Sequence, residues 1–449
     1  MNKSLSKEMT NGSEIRHIIM FALPLLGGNL LQQLYNIVDT LIVGRFLGDN
    51  ALAAVGATGS MTFLFSTICM GLSVGSGVII SQYFGAGQIN ELKSAVFNSA
   101  ITTAFFGIII SIAAIFLSRP VLMLMQTPDS LLPESAGYMR ITCGGTLVVA
   151  AYNWINSVMR SLGDSKTPLI FLGAASVMNV LLDLLFVVVL GLGVNGAACA
   201  TVISQGSSAI ACMIFAFSQS SEIRLKKCQL KADRLMIAKC IKMGLPIAAQ
   251  NAMIAISMVA LQHVTNTFGE TIMAAYTVSM RIEQFIQQPF QSLNVAVATF
   301  TGQNTGAGQN ERVRKGFNIG IRLSLAFAAI AAFFFFLCGK SVVGCFVQEK
   351  NVIEIGTRAI QLTSCFYAFL GLIHITRGFL NGVGDTGYAM ANGLAEVVCR
   401  VVFSLILTRI AFIGYWGIWG TTCITWLVTA AIGLIRYKRG SWKTKAAII

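Results

Sequence analysis

Charge is what this sequence has least of. Only 11% of its 449 residues are Asp, Glu, Lys or Arg, against about 25% in an ordinary soluble domain. A water-exposed shell around a core of this size cannot be built from so few. No C-x-x-C pair occurs among the 11 cysteines, and most of them fall inside apolar runs, so neither a disulfide framework nor a metal site is expected and the thiols read as small packing residues. A nucleotide-binding loop is missing too: Gly339-Lys340-Ser341 comes nearest, but Phe334 stands where such a loop needs Gly. No pairing of nucleophile and base is found, so the expectation is not an enzyme, and no cofactor is implied. The first 17 residues are polar and the apolar segment behind them is too long for a cleaved leader.

What the sequence does have is apolar length. Hydrophobic residues make up 55% of it, and runs such as 102–117, 169–190 and 323–338 approach or match the roughly 20 residues that cross a bilayer as a helix. Barrel strands would alternate over about ten residues instead. Twelve spans are predicted, at 18–43, 52–82, 94–117, 136–159, 168–190, 196–217, 239–264, 271–300, 316–337, 355–379, 388–408 and 416–436.

A net charge of +14 would suit nucleic acid, but its distribution reads as topology. With both termini placed in the cytoplasm, the inner side collects most of the Lys and Arg, among them Lys3, Lys226, Lys227, Lys231, Arg312, Arg314, Lys443 and Lys445. The outer loops hold only Arg45, Arg119, Lys340, Lys350 and Arg409. That is the positive-inside pattern. It predicts a multi-pass protein of the plasma or inner membrane that contacts anionic lipid, with no nucleic-acid partner and acting as a monomer.

The chain also repeats itself. An offset of 221 residues lays Ser81-Gln82-Tyr83-Phe84-Gly85-Ala86-Gly87-Gln88 over Gly302-Gln303-Asn304-Thr305-Gly306-Ala307-Gly308-Gln309, and pairs Gly163-Asp164 with Gly384-Asp385; Pro24 matches Pro246 at 222. Six spans per half is an even number, so the repeats are parallel. The expected organisation is an amino-terminal six-helix lobe at 1–217, a basic linker at 218–238 and a carboxy-terminal six-helix lobe at 239–449. The Gly-Ala-Gly segments read as left-handed helix ends.

Polar residues inside spans are functional candidates because lipid makes them costly. Gln32, Asn36 and Asp39 share one face of the first span, Asn179 and Asp183 one face of the fifth, and Thr201 lies near the start of the sixth. Asp39, Asp183 and Thr201 fall at similar depth. Two carboxylates, an amide oxygen and a hydroxyl are hard donors that suit Na⁺ or a shared proton. The same spacing also suits a plain hydrogen-bond network between helices, and both readings stay open at this point. The offset puts Ala260 or Leu261 opposite Asp39 and Ser404 opposite Asp183, so ion coupling is expected in the amino-terminal lobe alone. In the other lobe Glu283, Gln287 and Asn294 share a face and His374 lies in the tenth span, as candidate contacts for a cationic substrate. Glu396 and Arg400 read as a structural pair.

Pro24 with Tyr35-Asn36-Ile37-Val38-Asp39, the segment 81–87, Gly163-Asp164-Ser165-Lys166-Thr167-Pro168 and the Asn179–Asp183 pair together resemble the multidrug and toxic compound extrusion (MATE) family, over essentially the full length. Within it the pattern looks like the DinF-type branch, whose cation site matches Asp39, Asn179, Asp183 and Thr201 here. A second branch uses acidic residues on the seventh and tenth helices, where this chain has only Gln262, His263, His374 and Arg377. The resemblance implies an all-α, V-shaped fold of two six-helix bundles. It implies an antiporter that exports small amphipathic, often cationic, organic compounds against Na⁺ or H⁺. A lipid-linked saccharide flippase of the same wider superfamily is the alternative.

Overall fold

The computed structural model describes residues 6–124, 127–225, 230–440 and Trp442. Lys3, Lys226, Lys227, Lys443 and Lys445, counted above toward the orientation signal, lie outside the described residues, as does part of the 218–238 linker.

In lipid a backbone must satisfy its own hydrogen bonds, and a helix does so within one segment. Fourteen α-helices run through the described residues: α1 Glu14–Leu47, α2 Asp49–Gly85, α3 Ile89–Leu124, α4 Leu132–Gly144, α5 Thr146–Ser161, α6 Lys166–Asp183, α7 Gly193–Gln219, α8 Arg234–Asn266, α9 Glu270–Gly306, α10 Asn310–Gly344, α11 Lys350–Ser364, α12 Tyr367–Gly382, α13 Thr386–Leu407 and α14 Gly417–Lys438. They account for the twelve expected spans once α4–α5 and α11–α12 are each taken as one broken span. The breaks, at Gly145 and at Cys365–Phe366, share a register under the repeat, and the second bends the chain by 51°.

Nine helical runs among the described residues are long and apolar enough to cross a bilayer, ten if α11 and α12 count together. The other two expected spans fail on composition or on the length of their pieces. Helix α9 carries Arg281, Glu283, Gln284, Gln287 and Gln288, yet it is flanked by α10, α11 and α12. A helix shielded by neighbours needs no apolar circumference. The α4–α5 pair, flanked by α2, α3 and α7, is shielded in the same way.

Packing divides the chain into two units. One holds Leu23–Ala248 with the residues up to Glu8; the other holds Met9–Ala22 with Ala249 onward. The division inside α1 falls beside Pro24 and the one inside α8 beside Pro246, where the missing N–H removes a helical hydrogen bond. In the first unit the start of α8 lies on α2. A Cβ at Gly71 would collide with Ala248 Cα, and one at Gly75 with Gly244 Cα, the small-residue contact that lets membrane helices approach closely. Its core gathers Ile80, Leu92, Val96, Trp154, Ile155 and Val158.

The second unit holds the residues ahead of α1 through Arg312, which donates to Met9 O (3.0 Å), Gly12 O (2.9 Å) and Asn304 Oδ1 (3.1 Å). Its core is aromatic, built on Phe290, Phe335, Tyr367 and Trp426. The Gly-Ala-Gly segments end α2 and α9 alike: Gly87 and Gly308 take φ of 69° and 71°. Gln88 N then donates to Tyr83 O and Gln309 N to Asn304 O, at 3.1 and 2.8 Å, closing each helix end as the left-handed turn requires.

Candidate cation site

Helices α6 and α7 lie along one another in the first unit, which sets Asn179 and Asp183 against Thr201. Helix α6 ends on Asp183, and the backbone then widens into a single π turn, Leu184–Val189, with Leu190 N donating to Leu185 O at 2.9 Å. Such widened turns recur at functional sites. The matching stretch of α13 stays α-helical to Leu407.

Asp183 is fully buried, and its carboxyl group lies within hydrogen-bonding reach of that of Asp39 from α1. Asn179 satisfies both ends of its amide when the nitrogen faces Asp183. It then donates to Asp183 Oδ2 at 2.8 Å and accepts from Thr201 N at 3.2 Å. Thr201 Oγ1 lies 3.4 Å from the same amide and 3.3 Å from the Tyr35 hydroxyl. Tyr138 lies within electrostatic reach of both carboxyls and of Tyr35.

Ionised carboxylates only accept hydrogen bonds, and two in contact repel unless a proton or a cation lies between them. Asp39 Oδ1 and Asp183 Oδ1 are both buried without a partner. Among the described residues neither carboxylate joins an ion pair with Lys or Arg. The donor set is two carboxyl groups, an amide and the hydroxyls of Thr201 and Tyr35, which fits a small hard cation or a proton.

The remaining candidates lie elsewhere. Gln32 lines an adjoining cavity of about 20 Å³, room for a single water, together with Tyr35, Tyr152, Ser176, Ser204 and Gln205. Asn36 is exposed, and its carbonyl accepts from Thr40 Oγ1 at 2.8 Å. Glu283 is buried inside the second unit beside Thr363 and in electrostatic reach of Arg400. Gln287 is partly exposed, and Asn294 sits against Gly378, so the face these three share in sequence is divided by packing. His374 stacks on Phe290, ring centres 6.2 Å apart, with Nδ1 buried and unpartnered. Glu396 pairs with Arg400 at 3.1 Å, as its spacing suggests, and also with Arg377 at 2.6 Å.

Tyr35 and Tyr138 were not among the residues that spacing singled out. Tyr35 carried a usable signal, four residues ahead of Asp39 and so on the same helical face. Tyr138 carried none, since its approach depends on how α4 turns against α1.

The family model MatE matches the chain twice, over residues 24–185 and 246–406, which reproduces the internal repeat. Among curated proteins, "Probable multidrug resistance protein YpnP" of Bacillus subtilis is 27% identical over 97% of each chain. "Probable multidrug resistance protein NorM" of Thermotoga maritima is 24% identical over the whole of this chain and 98% of that one. Among solved structures, a MATE protein in complex with MaL6 superposes with a TM-score of 0.92 at 22% identity, covering 99% and 100% of the two chains. A MOP superfamily transporter from Pyrococcus furiosus gives 0.91 at 22%, covering 97% and 98%.

Proposed function

Because this chain belongs to the MatE family of multidrug and toxic compound extrusion transporters, we propose that it is a multi-pass efflux transporter that exports amphipathic, often cationic, organic compounds by antiport against Na⁺ or H⁺. The observation that carries the coupling half of this reading is the Asp39–Asp183 contact, a fully buried carboxyl against a partly buried one, each with one buried, unpartnered oxygen and, among the described residues, no basic residue paired to either. A cation or proton entering there relieves the repulsion. Antiport follows when ion and substrate favour different conformations of the protein. One elementary charge moving down about 100 mV releases about 2.3 kcal/mol, enough for roughly a fiftyfold substrate gradient.

The assignment to a DinF-type site rests on Asp39, Asn179, Asp183 and Thr201 coming together. Gln287 and Asn294, both partly exposed, are the substrate contacts we propose in the second unit, whereas Glu283 and His374 are buried in its interior. Both termini are proposed to be cytoplasmic, on the strength of the Lys and Arg distribution. The flippase alternative has less support, since Arg377 and Arg400 are both tied to Glu396 rather than free to hold a pyrophosphate. Purified protein in vesicles, loaded with a fluorescent organic cation and given an imposed Na⁺ or pH gradient, tests the proposal: uphill dye movement under one of the two gradients supports it, and none under either refutes it.

A further inference from the structure

The repeat places Arg400 at the register of Asn179, Ser404 at that of Asp183 and Glu396 at that of Ala175. In the first unit this stretch of helix offers oxygens to a cation that must come from solution. In the second it holds a cation of its own. Arg400 is buried, with 4% of its surface exposed, and Nη2 donates to Glu396 Oε1 at 3.1 Å. Glu396 is buried too, and its other oxygen accepts from Arg377 Nη2 at 2.6 Å. Arg377 is held in turn by Asn392 Oδ1, at 3.2 Å from Nε and 2.9 Å from Nη2.

Charge decides the consequence. Arg377 and Arg400 against Glu396 leave one positive charge, and Glu283, buried within electrostatic reach of Arg400, cancels it in its ionised form. The four charges balance with no outside ion, in contrast to the unpaired carboxyls of Asp39 and Asp183. Where those two carboxyls would fall in the second repeat, Ala260 and Ser404 instead line a mostly apolar cavity of about 400 Å³ with Val259, His263, Val401 and Leu405. No carboxylate lines that cavity.

We propose that the Arg400 guanidinium is a tethered substitute for a second exchangeable cation, so that the carboxy-terminal repeat is permanently charge-satisfied and the transporter takes its coupling ion in the amino-terminal repeat only. The proposal rests on reading Asp39 and Asp183 as the coupling site. Deleting the tethered charge leaves the Arg377–Glu396–Glu283 group with one net negative charge in a buried setting, where an unpaired charge is strongly unfavourable. That group then recruits a monovalent cation or a proton from solution.

The test counts bound ions in the full chain, by equilibrium binding of Na⁺ and by proton uptake in pH titration. Wild type is expected to take one, Arg400→Asn two, and Arg400→Asn with Glu283→Gln one again. Arg400→Lys, which keeps a tethered ammonium, should stay at one. Wild type taking one ion while Arg400→Asn also takes one overturns the tethered-cation proposal and leaves the coupling reading intact. Wild type taking none, with Asp39→Asn unchanged from it, overturns the coupling reading itself. Should Arg400→Asn resist purification, its melting temperature in native membranes is followed against Na⁺ and pH. The proposal requires a steeper rise with Na⁺ or acid than in wild type, and an identical dependence contradicts it.

Discussion

The carboxyl groups of Asp39 and Asp183, on helices far apart in sequence, touch in the interior of one packing unit, and each keeps one oxygen buried and unbonded. Among the described residues no Lys or Arg pairs with either. A buried like-charged pair of this kind persists only if it binds something, and the tyrosine, threonine and asparagine around it supply oxygen atoms rather than cations.

The Tyr35 hydroxyl, 3.3 Å from Thr201 Oγ1, orders one ligand of the site through another. Tyr35→Phe removes a hydrogen bond worth about 0.5–1.5 kcal/mol. Cation affinity is expected to fall by roughly two- to tenfold, with substrate exchange at saturating cation unchanged. Titration of transport rate against Na⁺ or pH reads this. An unaltered half-saturation point would place Tyr35 outside the site.

Glu396 pairs with two arginines at once, the buried Arg400 and the partly buried Arg377. Glu396→Gln strands both, and breaking a buried pair from one side costs about 3–5 kcal/mol. The variant should melt well below wild type in detergent or fail to accumulate in the membrane. A wild-type melting temperature would show that the pair is not buried as described.

The sequence made part of this legible. The twelve helical spans, the repeat and the two carboxylates could be read directly, because span length and register are properties of the chain alone. The Glu396–Arg400 pair could be read too, since i, i+4 spacing on one helix fixes proximity. Arg377 could not, because its approach to Glu396 depends on the rotation of α12 against α13, and helices that are apolar nearly all round carry little record of which face turns inward. The split of Glu283 from Gln287 has the same origin. The π turn after Asp183 leaves no mark in composition, its six residues Leu-Leu-Phe-Val-Val-Val being equally at home in an ordinary helix.

Glycine spacing sets how near α8 comes to α2. At Gly75 an added side chain meets the Gly244 backbone, whereas at Gly59, also on α2, it meets open space. Gly75→Val is expected to cost about 1–3 kcal/mol through overpacking. Gly59→Ala should leave stability unchanged or raise it slightly, since Ala is the better helix former. Thermal unfolding of the two variants side by side measures the difference, and equal melting temperatures would argue against the close contact.

Glu222, beyond the end of α7, accepts from Ser220 Oγ and Ser6 Oγ, each at 2.8 Å. Partial burial pushes its carboxyl up, but hydrogen bonds from its own backbone amide and from Ser220, Ser6 and Ser221 outweigh that and hold it below its ordinary value of 4.5. A carboxyl depressed in the folded state stabilises that state above the ordinary value, and the contribution is lost as pH falls from about 4.5 through the lower folded value. The protection of the Lys7 amide, which bonds Leu162 O at 2.8 Å, relative to its intrinsic exchange rate at each pH should therefore fall in that acid range. In Glu222→Gln the acid-dependent part should vanish, and its persistence would point to a different group.

The most direct test of the account compares Asp39→Asn and Asp183→Asn with wild type in vesicles, each checked for folding by its melting temperature. Two transport modes are read on the same preparation: uphill export under an imposed Na⁺ or pH gradient, and gradient-free exchange of labelled for unlabelled substrate. Both variants are expected to lose uphill export while keeping exchange, since each removes a charge that the ion must neutralise and leaves the substrate contacts in place. Uphill export at the wild-type rate in both would contradict a coupling site at Asp39 and Asp183.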